Sequence, residues 1–549
     1  LIVVVKWLIN CNELLSIEME IIDYVYSLLS DRKILLLNAY PGFGKSRIAI
    51  GVAKRWVDDG GKVLIMTRSR AEALQLCEFT KQAGIRDRTA VFLGRESLCP
   101  FKAHDSKQCM LYRMSGICRV RRVEIPSQIL TCDFTDLFNF GLCPYEVNEA
   151  LAYQLPMVIV THAYLSSPEL YSKLMDVVSS WDKSLVIIDE FHNVAAGLET
   201  SIDIGLDELR LWASYGNDIA RKILSRISNY IPQREVVVER KFDIDDLLKG
   251  SKPFSDKVLE KLMHYGNDAC AFTYDGKLTR LRCISFKPIR DLITRASKSL
   301  LLTASISRRF SHIIDALSKS SYYVSIDSLP KEYQENLIIM SIRDIELTHR
   351  NRLLRDYLNI IDKSIRVFIE SAPPVGGLAI FFPSIEYMDT YLSMYSPPVW
   401  GVPTFVLRDS NDALNSIRAF KESARTTKSL IITYAQNPVG EGMNFLEQEL
   451  IGIMMVGFPL PQYSQWGFLK ARYFQRMGIG GFSTAFLFPA ISTTIQVLGR
   501  LLRDLDRHRK VAVLLDSRFY RYRKYMPKWL VMGMRPMSLS QFLSKSLWN

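Results

Sequence analysis

No apolar run in this chain is long enough to cross a bilayer: the longest, "LIVVVKWLI" at the N-terminus and "LIGIMMVGFPL", reach about half of the ~20 residues a spanning helix needs. No small-residue cleavage site follows the first of them, so a secretory leader is not expected. There is no tandem repeat and no long polar or low-complexity tract, which excludes solenoid, fibrous and disordered architectures. Together these absences lead to the expectation of an intracellular protein without a membrane partner, cytoplasmic and, in a prokaryote, nucleoid-associated. Cysteine is scarce and unevenly spread: five of the nine fall between Cys99 and Cys143, and none forms the C-x₂₋₄-C pairs typical of structural zinc. In a reducing compartment such a cluster points to metal more than to disulfides.

With 549 residues, 48% of them hydrophobic and 23% charged, the chain must fold as several domains with large cores. The 70 Lys and Arg against 57 Asp and Glu leave a formal charge of +13. An excess of that sign suits a polyanionic partner, since basic grooves gain affinity by releasing condensed counterions. On so long a chain it is equally compatible with a solubility feature.

The segment "KILLLNAYPGFGKSRIAIGVAKRW" reads as strand, loop and helix. Within it Ala39, four residues, then Gly44-Lys45-Ser46 fit a relaxed P-loop in which Ala stands for the first Gly. Gly42 and Gly44 let backbone N–H groups curl around phosphate, Lys45 supplies charge to the outer phosphates, and Ser46 offers a hydroxyl to Mg²⁺. Downstream, "SLVIIDEFHN" is an apolar strand ending in acids. Asp189 is placed to hold the Mg²⁺ and Glu190 to deprotonate the attacking water. Further unalternating runs, "KVLIMTRS", "PMVIVTHA" and "SLLLTASIS", read as buried parallel strands. A second series, "GLAIFFPS", "TFVLRDS", "SLIITYA", "IGIMMVGFPL" and "KVAVLLDSR", has no P-loop of its own. The expected fold is therefore α/β, with two doubly wound parallel sheets and ATP sandwiched between them.

These segments, in this order and spacing, resemble the XPD family of superfamily 2 iron–sulfur DNA helicases over nearly the whole chain. "TRSRAEALQ" matches motif Ia, "DEFHN" motif II, "TASIS" motif III, "GLAIFFPSIEYM" motif IV, "GEGMNF" motif V and "QVLGRLLRDLDRHRKVAVLLDSRF" motif VI. The resemblance implies catalytic roles for His192 and Gln496, and nucleotide contacts from Glu441 and Gly442. At helical spacing Gln496, Gly499, Arg500 and Arg503 share a face, so the two arginines can stabilise the transferring phosphate when the cleft closes. Arg68, Ser69 and Tyr164, at strand ends, are the expected DNA contacts. The resemblance also implies a [4Fe–4S] cluster held by Cys99, Cys109, Cys118 and Cys143, with Cys132 able to replace Cys109 or Cys118. Cys11, Cys77, Cys270 and Cys283 are then expected to be ordinary core thiols.

The implied organisation is two RecA-like motor domains with two insertions in the first. Motor domain 1 takes residues 1–95, 148–202 and 286–325; an iron–sulfur domain takes 96–147, a mostly helical arch 203–285, and motor domain 2 takes 326–549. The implied function is a monomeric ATP-dependent helicase of 5′→3′ polarity acting on single-stranded and forked DNA in repair, with other repair proteins as partners. Three departures bear on it. Phe191 stands where relatives carry Ala, Met443-Asn444 removes an acid from motif V, and no adenine-recognising motif precedes the P-loop. They keep a second reading open, a nucleotide-gated single-strand-binding protein or scaffold that does not unwind.

Overall fold

The computed structural model describes residues 14–103, 106–120, 137–138, 141–228, 236–239, 270–274, 276, 279–315, 317–318, 321–395, 400–408, 410–437, 445, 447–502, 508–544 and 547–548. Runs of Ile, Leu and Val too short for a helix core become buried strands that assemble into two parallel sheets, and a third sheet is antiparallel. Five strands come first: β1 (Ile34–Ala39), β2 (Lys62–Thr67), β3 (Thr89–Val91), β4 (Met157–Thr161) and β5 (Ser184–Ile188). A group outside the first sheet follows: β6 (Leu198–Ile204), β7 (Val236–Glu239), β8 (Cys270–Tyr274) and β9 (Thr279–Ser285). Then β10 (Lys298–Thr303) and β11 (Ser321–Ile326) return to complete the first sheet, in the order β11-β1-β10-β5-β2-β4-β3 with every pairing parallel.

The second sheet is built from β12 (Leu337–Ile342), β13 (Gly376–Phe382), β14 (Thr404–Val406), β15 (Lys428–Tyr434), β16 (Gly452–Val456), β17 (Lys510–Leu515) and β18 (Met534–Met537). Its order is β14-β15-β13-β16-β17-β12-β18, again parallel throughout. Period-two geometry divides its side chains: Ile339 packs into the apolar cluster that also fills the first lobe, whereas Ile338 and Met340 pack into a separate cluster on the opposite face. The two lobes thus share one continuous core across their junction. The apolar helical run Ser483–Leu502 meets the length and hydropathy of a membrane span, but 89% of it is buried, as the core helix of this junction.

The insertion after motif II carries, in its described part, the helices Leu206–Ser214 and Asp218–Ile227 and a four-stranded antiparallel sheet in the order β6-β9-β8-β7. Alternating runs such as "LETSIDI", buried on one face only, make such a sheet. Cys270 and Cys283 stand directly opposite each other on β8 and β9, Cα atoms 4.1 Å apart, and form a disulfide. Cys77 is disulfide-bonded as well, while Cys11 lies outside the described residues. The lone-thiol expectation failed because cross-strand register brings distant cysteines together, and spacing along the chain does not show register.

Candidate functional site at the lobe junction

The phosphate loop leaves β1 at the buried Ala39 and turns through Gly42 (φ 85°) and Gly44 (φ 90°), a left-handed backbone that a β-carbon would strain. Gly44 caps the helix Lys45–Asp58, its carbonyl accepting from the N–H groups of Arg47 (2.9 Å) and Ile48 (3.0 Å). The helix therefore begins at the loop, where its unpaired N–H groups and dipole favour an anion. Lys45 is buried there and donates to the carbonyls of Ala39 (3.3 Å) and Tyr40 (3.5 Å).

Parallel neighbours bring the acids to the same place, since β5 and β1 flank β10. Ser46 Oγ donates to Asp189 Oδ2 at 3.0 Å, and the Glu190 N–H donates to Oδ1 at 2.9 Å. Burial first, and then the neighbouring Glu190, push the Asp189 carboxyl up to about 6, against the pull of Lys45. A hydroxyl and a carboxylate this close are the hard oxygen donors that Mg²⁺ takes, so Ser46 and Asp189 fit that ion. Glu190 itself sits at φ 47°, one of two non-glycine residues with positive φ among those described. Strain of this kind is held where the surroundings over-determine a residue.

His192 joins the lobes. Burial, reinforced by Arg68 and Lys45, holds its imidazole down to about 3, so the ring is neutral at ordinary pH. Gln496 Nε2, from the second lobe, donates to His192 Nε2 at 2.6 Å. The ring hydrogen then resides on Nδ1, which lies 3.2 Å from Glu190 Oε2 and 3.4 Å from Thr303 Oγ1. The contact with Glu190 is thus a hydrogen bond and not an ion pair. Phe191 does not crowd the acids: its N–H donates to Leu302 O at 2.8 Å and its ring is fully buried in the core.

Motif VI closes the cleft from the other side. A β-carbon on Gly499 would lie 2.5 Å from two side-chain carbons of Pro41, so only glycine lets this turn press on the phosphate loop. One at Gly42 would lie 3.7 Å from Leu502 O. Arg500, in the turn Gly499–Leu502, is buried with its guanidinium 5.2 Å over the ring of Phe381 on β13. Arg503, Glu441 and Gly442 lie outside the described residues, as do Met443, Asn444 and Cys132.

The expected DNA contacts divide. Arg68 is half-buried and borders a cavity between the lobes. Ser69 is occupied locally: its hydroxyl accepts from the Glu72 N–H at 3.2 Å in a capping box that starts the helix Arg70–Gln82. Tyr164 is a correction, since it is fully buried with its ring 5.2 Å from that of Phe92 and offers no face to a base. A strand-end position reads as exposed in sequence, but here a short helix, Ala163–Ser166, turns the side chain inward.

Cys99, Cys109, Cys118 and Cys143 are free and half-buried in one insertion. Arg95 Nη1 donates to Cys109 Sγ at 3.3 Å, and burial pushes the Cys143 thiol up. Among the described residues, however, no three His, Cys, Asp or Glu gather closely enough to hold a metal ion. The thiols as placed do not fit a cluster, and no step is derived through one.

Three residues of the site were not picked out in the sequence. Thr303 touches His192 from β10, in the stretch read as motif III. Glu72 accepts from the N–H groups of Arg68 (3.0 Å) and Ser69 (3.2 Å), and burial with the charges of Glu190 and Asp189 pushes its carboxyl up to about 7. Its only sequence signal was the capping-box spacing, Ser69 to Glu72. Glu199 on β6 accepts from Trp466 Nε1 and pairs with Lys470 Nζ at 2.8 Å, latching the inserted sheet to the second lobe.

The DEAD_2 family model matches residues 66–211, and the model of the helicase C-terminal domain matches residues 365–532. The helicase subunit XPD/RAD3 of general transcription and DNA repair factor IIH from Saccharomyces cerevisiae is 30% identical over 174 residues, 30% of this chain and 22% of that protein. The ATP-dependent DNA helicase CHL1 of the same species is 20% identical over 547 residues, 79% of this chain and 62% of that protein. Each match spans less than two thirds of the relative's own length. Among solved structures, an XPD helicase superposes with a TM-score of 0.66 at 17% identity, covering 96% of this chain and 100% of that one. The S. tokodaii Xpd4 structure superposes with a TM-score of 0.57 at 15% identity, covering 95% and 99%. These likenesses carry the fold. Two parallel seven-stranded sheets, a glycine loop on the first only, and family models falling on both lobes make this chain similar to the XPD-like superfamily 2 helicases.

Proposed function

We propose that the chain is an ATP-dependent DNA helicase that translocates on single strands with 5′→3′ polarity and unwinds forked duplexes in DNA repair, by resemblance in nucleotide excision repair. The observation that carries the reading is the hydrogen-bonded path Glu190–His192–Gln496, because it makes the hydrolytic acid of one lobe depend on the position of the other. ATP would seat its phosphates on the loop Ala39–Ser46, with Lys45 exchanging its carbonyl partners for phosphate oxygens. Ser46 and Asp189 would hold Mg²⁺, which neutralises phosphate charge when bound. Glu190 takes the proton of a water as its oxygen bonds to the γ-phosphorus, and the bond to the bridging oxygen breaks to release ADP and phosphate. Motif VI, packed on Pro41, would bring Arg500 and Arg503 toward the developing charge, and release of the products would let the lobes part.

The finer cofactor reading is that Cys99, Cys109, Cys118 and Cys143 bind a [4Fe–4S] cluster. Soft thiolate ligands suit it, and Arg95 donates to the sulfur of Cys109. A cluster would have to draw the four together, so iron and acid-labile sulfide analysis after anaerobic purification decides the point. The buried position of Phe191 weighs against the non-unwinding alternative, since its bulk does not enter the cleft.

Lys45→Ala with an unchanged circular dichroism spectrum is the test. DNA-stimulated hydrolysis should fall more than about 100-fold, as for loss of a main electrostatic group. Unchanged hydrolysis would overturn the site, and strand binding without ATP-dependent strand displacement in the unmodified chain would favour the scaffold reading.

A further inference from the structure

The lobes meet again at a seam that no step of the hydrolysis uses. On the first lobe it is the turn Arg308–Phe310, which follows the motif III stretch; on the second it is the turn Arg523–Tyr525, which follows β17 and the short helix Ser517–Arg521. Ser307 Oγ donates to the carbonyl of Tyr525 at 2.7 Å, and the rings of Phe310 and Tyr525 lie 5.4 Å apart. Two basic stretches, "SRRF" and "YRYRKY", are thereby set side by side, although Ser307 and Tyr525 are 218 positions apart.

Arg308, Arg309 and Lys524 are exposed there and Arg523 is half-buried. None of the four is paired with a carboxylate among the described residues, whereas the neighbouring Arg518 and Arg521 are paired with Asp516 and Glu346. Asp327 is an acid of the same region: the Trp529 N–H donates to its carbonyl at 2.9 Å, and its charge opposes that of Arg308 at Tyr323. Set against four cations it leaves a surplus. Like charges that packing holds together repel until an anion bridges them.

The rings narrow the chemistry of that anion. Arg523 stands 3.9 Å over Tyr520 and donates to the carbonyl of the same residue at 2.8 Å, while Lys524 stands 5.2 Å over Tyr525. Arg343 adds a second cation over Tyr520, at 5.9 Å. Both rings are engaged in holding cations, so the surface presents charge more than a platform for stacking. That suits a chain of phosphodiesters bound without regard to sequence. Position narrows it further. Phe310 packs on Phe488 at 5.0 Å, and Phe488 borders the cavity between the lobes that Arg68 and Gln496 also border. None of the four cations borders that cavity, so the packed rings separate it from the seam.

We propose that this seam holds the second arm of a forked DNA by its phosphates, while the first strand lies between the lobes. The inference rests on the reading above that the chain acts on forked duplexes. Arg308 and Arg309 belong to one lobe and Arg523 and Lys524 to the other, so an arm bound here spans both, and its grip changes as the lobes part.

The test uses the full chain and three DNAs: a fork with two single-stranded arms, the same duplex with the 5′ arm alone, and a single strand. Binding is read by anisotropy across a salt series. The fork should bind more tightly than the one-armed duplex. Arg308→Ala combined with Arg309→Ala should reduce the slope of log affinity against log salt for the fork by about 1.4, at about 0.7 per phosphate contact, and Lys524→Ala by about half as much. The other two DNAs, and hydrolysis stimulated by the single strand, should be unaffected. Equal binding of fork and one-armed duplex, or variants that weaken all three DNAs alike, would overturn the inference and leave the helicase reading intact. Variants that bind the fork normally but lose binding of poly-glutamate would assign the seam to an acidic protein partner and overturn it too. Absence of binding to every DNA by the unmodified chain would overturn both readings.

Discussion

The two lobes are near twins in layout and opposites in what their strand ends carry. Each is a parallel seven-stranded sheet with buried strands. On the first, β1 ends in a glycine loop and β5 in paired acids; on the second, β13 runs out to Phe382 and the following Ser384 merely caps a helix, accepting from the Tyr387 N–H at 3.4 Å. On the proposed reading the first lobe would therefore hold phosphate and metal. The second contributes what completes the site only on approach: Gly499 against Pro41, and Gln496 on His192. An asymmetric pair of this kind converts nucleotide occupancy into lobe movement, because binding and catalysis depend on different halves.

That division of labour can be broken at its narrowest point. Gly499→Ala sets a β-carbon 2.5 Å from Pro41, so the second lobe must stand off from the loop. Turnover should fall on the order of 100-fold, as expected for sub-ångström misplacement of a catalytic group, while ATP affinity changes little. Stopped-flow nucleotide binding beside steady-state hydrolysis checks it, and equal losses in both would refute the division.

A smaller effect of the same sign is expected at the bridge. Gln496→Ala removes the hydrogen bond to His192 and should lower turnover about tenfold with ATP affinity preserved, because the ring loses its fixed tautomer.

The first lobe can be probed alone through Glu72. Its carboxyl is raised from 4.5 to about 7 in the fold, so the folded chain binds the proton more tightly than the unfolded one. Stability from this group is complete below the unfolded value and is lost as pH rises through 7. Glu72→Gln keeps the capping box but not the charge. It should stabilise the chain by on the order of 1–2 kcal/mol at pH 8 and hardly at all at pH 5, in denaturant melts at the two pH values. A gain that is the same at both would show that neither burial nor the neighbouring acids raise this carboxyl.

The smallest effect is expected at the latch. Glu199→Gln leaves a hydrogen-bond acceptor for Trp466 but discharges the pair with Lys470, a partly exposed contact worth about 0.2–1 kcal/mol. A thermal shift of a few degrees or less that vanishes in high salt would place the latch among screened surface pairs.

Both motor sheets and the core of the site were legible in the primary structure, for a local reason. A P-loop must follow a strand and open a helix, and an acid pair must follow a strand, so Lys45, Ser46, Asp189 and Glu190 announce themselves by spacing. Strands β3, β11, β12 and β18 were not anticipated; β3 and β18 have only three or four residues, which carry little periodicity. The disulfide between Cys270 and Cys283 and the inward turn of Tyr164 were likewise not legible.

What the amino-acid order determined by itself is which residues can bind phosphate, because that chemistry lives in a few consecutive positions whose backbone angles follow from glycine. What only the tertiary structure decided is everything made by residues far apart: Gln496 on His192, Gly499 on Pro41, Glu72 beside the acids, and the cavity between the lobes. Those contacts depend on how two sheets and an inserted domain pack, and packing is set by the summed burial of surfaces that no short stretch of sequence contains.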